Sequence, residues 1–310
     1  VVSDRGTLPI DNDQAAQRKG KRSDLGKNLI PAQRRRLIHE YLQRQKIVRS
    51  ATLSEVLGAS EATVRRDLDW LERQGIAERT HGGAILSQRL PTEPAYASSA
   101  LANPEAKRAI GHAAADLVND GDTVFINSGT TTTEVLLSLM RRSDIPNLTL
   151  VTNNVTAAVG AREAEFEVIL LGGSFRLRSY STVGHFATEM LRGMHANKTF
   201  IGVDGISLKY HYTTPTNPEA EIGHVMIEQT QGPVYVVADA SKWGVVSNFL
   251  LATLDEVDGL IVNDGLDPDA RSELSHRGIG VIVASPDDEG LMPHADPHEE
   301  GSYAPVLKTR

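Results

Sequence analysis

The sequence predicts an α/β protein of two unequal parts, and three observations carry that prediction. Two short helices joined by a tight turn precede a glycine-centred hairpin near the N-terminus, apolar strands alternate with helices from Pro104 onward, and charge is segregated between these regions. The 310 residues carry a formal charge of −8, yet residues 30–85 hold ten Lys/Arg against seven Asp/Glu, and residues 1–29 hold six against four. The remaining 225 residues have 16 basic and 29 acidic side chains. A polyanion is therefore expected at the N-terminal part and not at the rest. The expected division is a disordered tail at 1–28, a small domain at 29–87, a linker at 88–103, a larger domain at 104–285 and a second disordered tail at 286–310. Both tails are poor in apolar residues, and the linker contains Pro91, Pro94 and Ala/Ser-rich sequence.

The first helix, Gln33 to Leu42, places Leu37, Ile38, Tyr41 and Leu42 toward a small core. Thr52-Leu53-Ser54-Glu55 fits a capping box that opens a short helix through Val56 and Leu57, stopped by Gly58. Ser60 is placed to cap the next helix by accepting a hydrogen bond from the N–H near Thr63. Val64, Leu68 and Leu71 then recur at i, i+4 and i+7 as one apolar stripe, leaving Thr63, Arg65, Arg66 and Asp69 outward. Gly75 ends that helix. Ile76 to Arg79, His81-Gly82-Gly83 and Ala84-Ile85-Leu86 read as a hairpin. This arrangement is a helix-turn-helix with a wing, whose second helix lies in a major groove.

A lone Arg-Arg pair would be read as a solvated helix face. The ordered set from Arg34-Arg35-Arg36 through Thr63-Val64-Arg65-Arg66-Asp67-Leu68 to His81-Gly82-Gly83-Ala84 instead closely resembles the DeoR family of bacterial transcriptional repressors. The resemblance implies double-stranded operator DNA as partner. Arg65 and Thr63 would stand near base edges and Arg66, Arg36 and Arg79 nearer phosphates, with Ser60 and His81 completing the contact set at the helix start and the wing. Asp67, a carboxylate that phosphates would repel, is expected to order the arginines or cap a neighbour.

In the larger part the predicted helices are Glu105–Val118, Thr131–Met140, Val155–Ala161, Thr182–Leu191 and Glu219–Thr230. The predicted strands are Thr123–Ile126, Leu148–Val151, Glu167–Leu171, Thr199–Val203, Val234–Ala238, Gly259–Val262 and Gly280–Val283. Strands apolar throughout and separated by helices indicate a mostly parallel sheet covered on both faces, with ligands at the carboxyl ends of its strands. Polar residues gather there: Asn127 to Thr133, Thr152-Asn153-Asn154, Gly172-Gly173-Ser174, Asp204-Gly205, and Asp239 to Lys242. Ser128-Gly129-Thr130-Thr131 sets hydroxyls and free amides at a helix N-terminus, which suits a phosphate. No Gly-Lys-Ser/Thr follows, so this is not a nucleotide-hydrolysing loop.

These strand ends, with Val183-Gly184, Glu219-Ala220-Glu221 and Ala238-Asp239-Ala240-Ser241-Lys242, resemble the sensor domain of the same family, which is similar in fold to ribose-5-phosphate isomerase. The resemblance implies a phosphorylated sugar or polyol effector, with Ser128, Gly129, Thr130 and Thr131 at its phosphate and Asp204, Glu219 and Lys242 at its hydroxyls or carbonyl. Asn153, Gly172 and Gly173 complete the expected site. Gly223-His224 stands where the family pattern has a basic pair.

The rival reading is a DNA-anchored aldose–ketose isomerase using Glu219 and Lys242 as base and electrophile. It fails where the enzyme pattern expects a second aspartate and a glycine-rich loop, since Ser207 and Lys209-Tyr210-His211-Tyr212 stand there. A third reading, a domain that only dimerises, leaves the polar strand ends unexplained. With no cysteine and no paired histidines, neither a metal nor another cofactor is expected. No apolar run is long enough to span a bilayer, so a cytoplasmic homo-oligomer away from membranes is expected, paired half-sites multiplying a weak single-domain affinity.

Overall fold

Residues 29–89, 93–161 and 164–285 are described here, from a computed structural model of the chain. Both tails, and Pro91 within the expected linker, lie outside these residues.

The N-terminal unit is built from α1 (Pro31–Gln45), β1 (Ile47–Arg49), α2 (Ser50–Leu57), α3 (Glu61–Arg73), β2 (Ala77–Arg79) and β3 (Gly83–Leu86). Val64, Leu68 and Leu71 are buried, as their spacing requires, against Ile38, Leu42, Leu53 and Leu57. Each such side chain stabilises the unit by about 1.5–3 kcal/mol. Ser60 caps α3 by accepting from the Thr63 amide at 3.2 Å. The capping box expected at Thr52 is not formed. Helix α2 already begins at Ser50, whose amide donates to Gly82 O at 2.8 Å, so the wing supplies the partner a cap would have given. Strands β2 and β3 form the hairpin, and β1 pairs with β3 to complete a three-stranded antiparallel wing sheet.

The larger part is a seven-stranded sheet, entirely parallel, of β5 (Thr123–Ile126), β6 (Thr149–Thr152), β7 (Glu167–Leu170), β10 (Lys198–Gly202), β13 (Val234–Val237), β16 (Gly259–Asn263) and β17 (Gly280–Ala284). Their spatial order is β17-β16-β13-β10-β5-β6-β7. Successive residues of β5 face opposite cores. Val124 and Ile126 pack with α5 (Pro104–Ala115) and α6 (Thr130–Met140), and Phe125 packs on the other face with Leu191 of α8 (His185–Arg192) and Ile222 of α9 (Asn217–Glu228). Such double-sided burial is why these strands read as continuous apolar runs. The chain moves outward from β5 through β6 to β7, then returns to lay β10 on the other side of β5. The gap between the ends of β5 and β10 is a topological switch point, where open parallel sheets bind ligands.

Three further features depart from expectation. The helix expected over Thr182–Leu191 is divided: Ser181–Val183 is strand β9, paired with β8 (Ser174–Arg176), and the helix α8 starts at His185 after Gly184, whose φ is 91°. A helix not expected, α10 (Pro268–His276), connects β16 to β17 and buries only Ala270, Glu273 and Leu274. Finally, the 88–103 segment is not a free tether. Strand β4 (Gln88–Arg89) pairs with β14 (Val245–Val246), and α4 (Tyr96–Ala100) is held to the larger part by a 2.7 Å hydrogen bond between Tyr96 Oη and Thr133 Oγ1.

Candidate functional site

The exposed face of α3 carries the expected arginines. Arg66 is exposed, and Arg65 is exposed in a 3.2 Å ion pair with Glu61 one turn earlier, a contact that solvent weakens and a stronger anion can replace. Arg36 is likewise solvent-exposed with Glu40 at 3.1 Å. The Ser60 and Thr63 hydroxyls bond each other at 2.9 Å. Asp67 lies beneath this face, buried, and joins Arg34 and, at 2.9 Å, Arg35, whose guanidinium stacks on Trp70 at 4.6 Å. It therefore fastens α1 to α3 and leaves the exposed arginines alone. Arg79 is half-buried, bound to Asp69 at 3.1 Å and to Gly83 O at 2.5 Å, so it braces the wing against α3. His81, at the wing turn, meets Glu273 Oε2 through Nδ1 at 3.0 Å.

A cleft opens at the switch point. Asn127 to Thr131 enter it after β5, Gly202 to Asp204 after β10, and Lys242 after β13. The loops are fixed by Asn127, whose Nδ2 donates to Gly202 O at 2.9 Å while its Oδ1 accepts from Gly202 N at 2.7 Å. Helix α6 starts at Thr130, and its first-turn amides have no intrahelical acceptor. The hydroxyls of Thr132 and Thr133 fold back on Gly129 O at 3.0 and 2.8 Å. Ser128, Thr130 and Thr131 are left to line the cleft.

The opposite wall is acidic. Burial pushes the Asp204 carboxyl up, the Lys242 charge and the hydrogen bond from Thr214 pull it down, and Glu219 and Glu93 add to the rise, leaving it above the usual carboxylate range. Glu219, in the first turn of α9, accepts from Thr216 Oγ1 at 2.8 Å and faces Arg176 at 3.4 Å. Anion-binding amides and Lys242 thus face polar groups able to bond hydroxyls, an arrangement suited to a small anionic polyol.

Seven of the ten residues expected at the effector line this cleft: Ser128, Gly129, Thr130, Thr131, Asp204, Glu219 and Lys242. Three do not. Asn153 stands behind Ser128, with its Nδ2 donating to Thr182 O at 2.9 Å. The Gly172 amide faces Met190 Sδ at 3.3 Å, and a Cβ at Gly173 would come within 2.7 Å of Val183 O, so Gly173 serves the close approach of this turn to β9. Conversely, Glu93, Tyr96, Arg178 and Thr214 line the cleft without having been expected there. Glu93 carries both Arg176, at 2.8 Å, and the 2.8 Å bond from Arg178 Nε to its carbonyl, which brings Glu93 and Pro94 to the opening. The signal available in the sequence was the charge alternation Arg176-Leu177-Arg178 opposite a lone Glu93 in a Pro-rich stretch.

The wing is docked on the larger part. Glu78, buried, accepts from Ser207 Oγ at 2.6 Å and from the Leu208 amide at 3.1 Å. Burial raises its pKa more than those bonds and Lys209 lower it. Gly244, with φ of 77°, accepts from the Gln88 amide at 2.9 Å, and a Cβ there would lie 2.8 Å from Leu86 O. Ser207 and Gly244 are each only a few residues beyond a cleft residue, Asp204 and Lys242 respectively.

Among known proteins, the DeoR-like helix-turn-helix domain matches residues 34–89 and the DeoR C-terminal sensor domain matches residues 102–264. The transcriptional regulator GlpR of Haloferax volcanii is 35% identical over 254 residues, covering 82% of this chain and 98% of its own. A putative aga operon transcriptional repressor of Escherichia coli O157:H7 is 33% identical over 255 residues, covering 81% and 93%. Among solved structures, ribose 5-phosphate isomerase A of Methanocaldococcus jannaschii aligns over 46% of this chain and 55% of its own, at 15% identity and a TM-score of 0.34. Among the described residues, no helix is long and apolar enough to cross a membrane and no cluster of side chains suits a metal ion.

Proposed function

Because the chain belongs to the DeoR family of transcriptional regulators, we propose that it represses genes of carbohydrate metabolism and that a phosphorylated sugar or polyol in the switch-point cleft sets its grip on operator DNA. The observation that carries this reading is the short covalent path from the cleft to the wing. Asp204 runs through β11 (Gly205–Ser207) to the Ser207–Glu78 bond, and Lys242 runs through Trp243 to the Gly244–Gln88 bond. A ligand that draws on Asp204 and Lys242 therefore acts on both supports of the wing.

Duplex DNA would lie along α3 with Arg65 and Thr63 toward base edges and Arg66 and Arg36 toward phosphates. The effector phosphate would sit on the α6 amides with Ser128, Thr130 and Thr131, and its hydroxyls would meet Asp204, Glu219 and Lys242. To release DNA the effector must bind the free arrangement better than the DNA-bound one, and a coupling of about 1–3 kcal/mol corresponds to roughly 5- to 150-fold in affinity. The likeness to the putative aga operon transcriptional repressor of Escherichia coli O157:H7 supports repression as the direction.

The chain is a regulator and not an enzyme, as its family membership states. The position where an isomerase would need its second aspartate is Ser207, whose hydroxyl is committed to Glu78. The test is fluorescence anisotropy of labelled duplexes tiling the DNA upstream of the chain's own gene, titrated at fixed salt with and without a panel of sugar and polyol phosphates. Tight binding to one duplex that one compound reverses is expected. Binding that no phosphorylated compound alters would overturn the effector assignment.

A further inference from the structure

Arg49 and His81 of the N-terminal unit are each bound by a carboxylate of α10. Arg49 Nε and Nη2 donate to the two oxygens of Asp269 at 2.8 and 3.1 Å, a two-pronged grip of the kind a guanidinium makes on a phosphate. One turn further along the same helix, Glu273 meets His81 at 3.0 Å, and the His81 ring stacks on His276 at 5.8 Å. Glu273 is also held by Arg277, one turn on, at 3.1 Å, a partner independent of the wing. The Asp269 backbone is anchored at the helix start, its amide donating to the N-cap Asp267 Oδ1 at 2.8 Å.

Arg49 is the N-cap residue of α2, the first helix of the helix-turn-helix, which crosses the DNA backbone in this class of reader. Its neighbour Ser50 is bonded to Gly82 O, so Arg49, the α2 N-terminus and the His81 turn form one rim. That rim combines a guanidinium and a helix N-terminus, each of which attracts an anion, with an imidazole N–H able to donate to one.

We infer that Arg49 and His81 form a phosphate-contacting rim of the DNA surface, and that Asp269 and Glu273 act as an internal substitute for those phosphates, holding the wing on the sensor in competition with DNA. The inference rests on the reading of the chain as a duplex-DNA binder and adds Arg49 and the competition from α10. The carboxylates leave Arg65 and Arg66 free, so the competition bears on sequence-independent affinity.

The test uses the full chain and two labelled 30-base-pair duplexes, one random in sequence and one from the upstream region, with dissociation constants measured over a series of salt concentrations. Asp269→Asn/Glu273→Gln should tighten binding to both duplexes by about threefold or more. The same pair placed on Arg49→Ala/His81→Ala should change nothing further. Arg49→Ala alone should reduce the slope of log affinity against log salt by about 1, the signature of one lost phosphate contact. Because Glu273 is buried and its loss could unsettle folding, Asp269→Asn alone, at a half-buried position, should reproduce part of the gain. Glu189→Gln/Glu228→Gln, which removes the same charge from remote surface pairs, should leave affinity within about twofold. Unchanged or weaker binding in the α10 variants, an equal gain in the remote pair, or an unaltered salt slope for Arg49→Ala would overturn the inference. Failure of the wild-type chain to bind either duplex would overturn it by removing the DNA reading itself.

Discussion

Arg65 and Arg36 are both exposed and both paired with a glutamate one turn away, yet they sit on different helices and are expected to do different work. Arg65→Ala should cost about 1–3 kcal/mol on the operator and far less on random DNA, because a base-edge contact discriminates. Arg36→Ala should weaken binding to both alike. Equal losses for Arg65→Ala on the two duplexes, by anisotropy, would remove its base-reading role. Asp67 illustrates what residue type alone conceals. Its acidity beside a row of arginines correctly suggested an ordering role, but the partners are Arg34 and Arg35 from α1 and not its own neighbours Arg65 and Arg66. Asp67→Asn should lower unfolding stability by about 2–4 kcal/mol in urea, below the roughly 3–5 expected of a fully enclosed pair because Arg35 reaches solvent. A change under about 0.5 kcal/mol would show that the two ion pairs do not fasten the helices.

At the scale of elements, the apolar stripes of α1 and α3 and the strands of the parallel sheet were legible because a 3.6-residue or continuous apolar pattern has one physical solution in each case. Helix α10 was not, since it buries only Ala270 and Leu274 with Glu273, too few apolar positions to register as a face. The 88–103 segment was misleading for a related reason. Pro and Ser content describes a chain without its own core, while what holds this one is polar and remote: Tyr96 to Thr133, Arg176 and Arg178 to Glu93. The cleft was legible where strand ends converge, at Ser128 to Thr131, Asp204 and Lys242. It was over-read at Gly172-Gly173, where a polar-looking turn answers to backbone packing. Lys242→Ala should leave DNA affinity within about twofold while the effector's reversal of binding is lost. A variant that still responds at the wild-type effector concentration would place the anion elsewhere.

For the whole molecule, wing and sensor are docked on one another, and none of that docking follows from periodicity, because Glu78, Ser207, Gln88 and Gly244 are scattered polar or small residues. Glu78→Ala should leave both DNA binding and effector binding measurable while reducing the effector's effect on DNA affinity by at least fivefold, a loss of coupling without a loss of either site. An undiminished effect would mean that the Ser207–Glu78 contact is only a structural rest. Coupling of this kind is reciprocal, and that supplies the most direct test. Effector affinity should be measured by titration calorimetry on the free chain and again on the chain saturated with operator duplex at the same salt. The account predicts that DNA weakens the effector by the same factor by which the effector weakens DNA, and that this factor exceeds about five. Effector binding that is identical with and without DNA would contradict it, since a ligand with equal affinity for both states shifts no equilibrium.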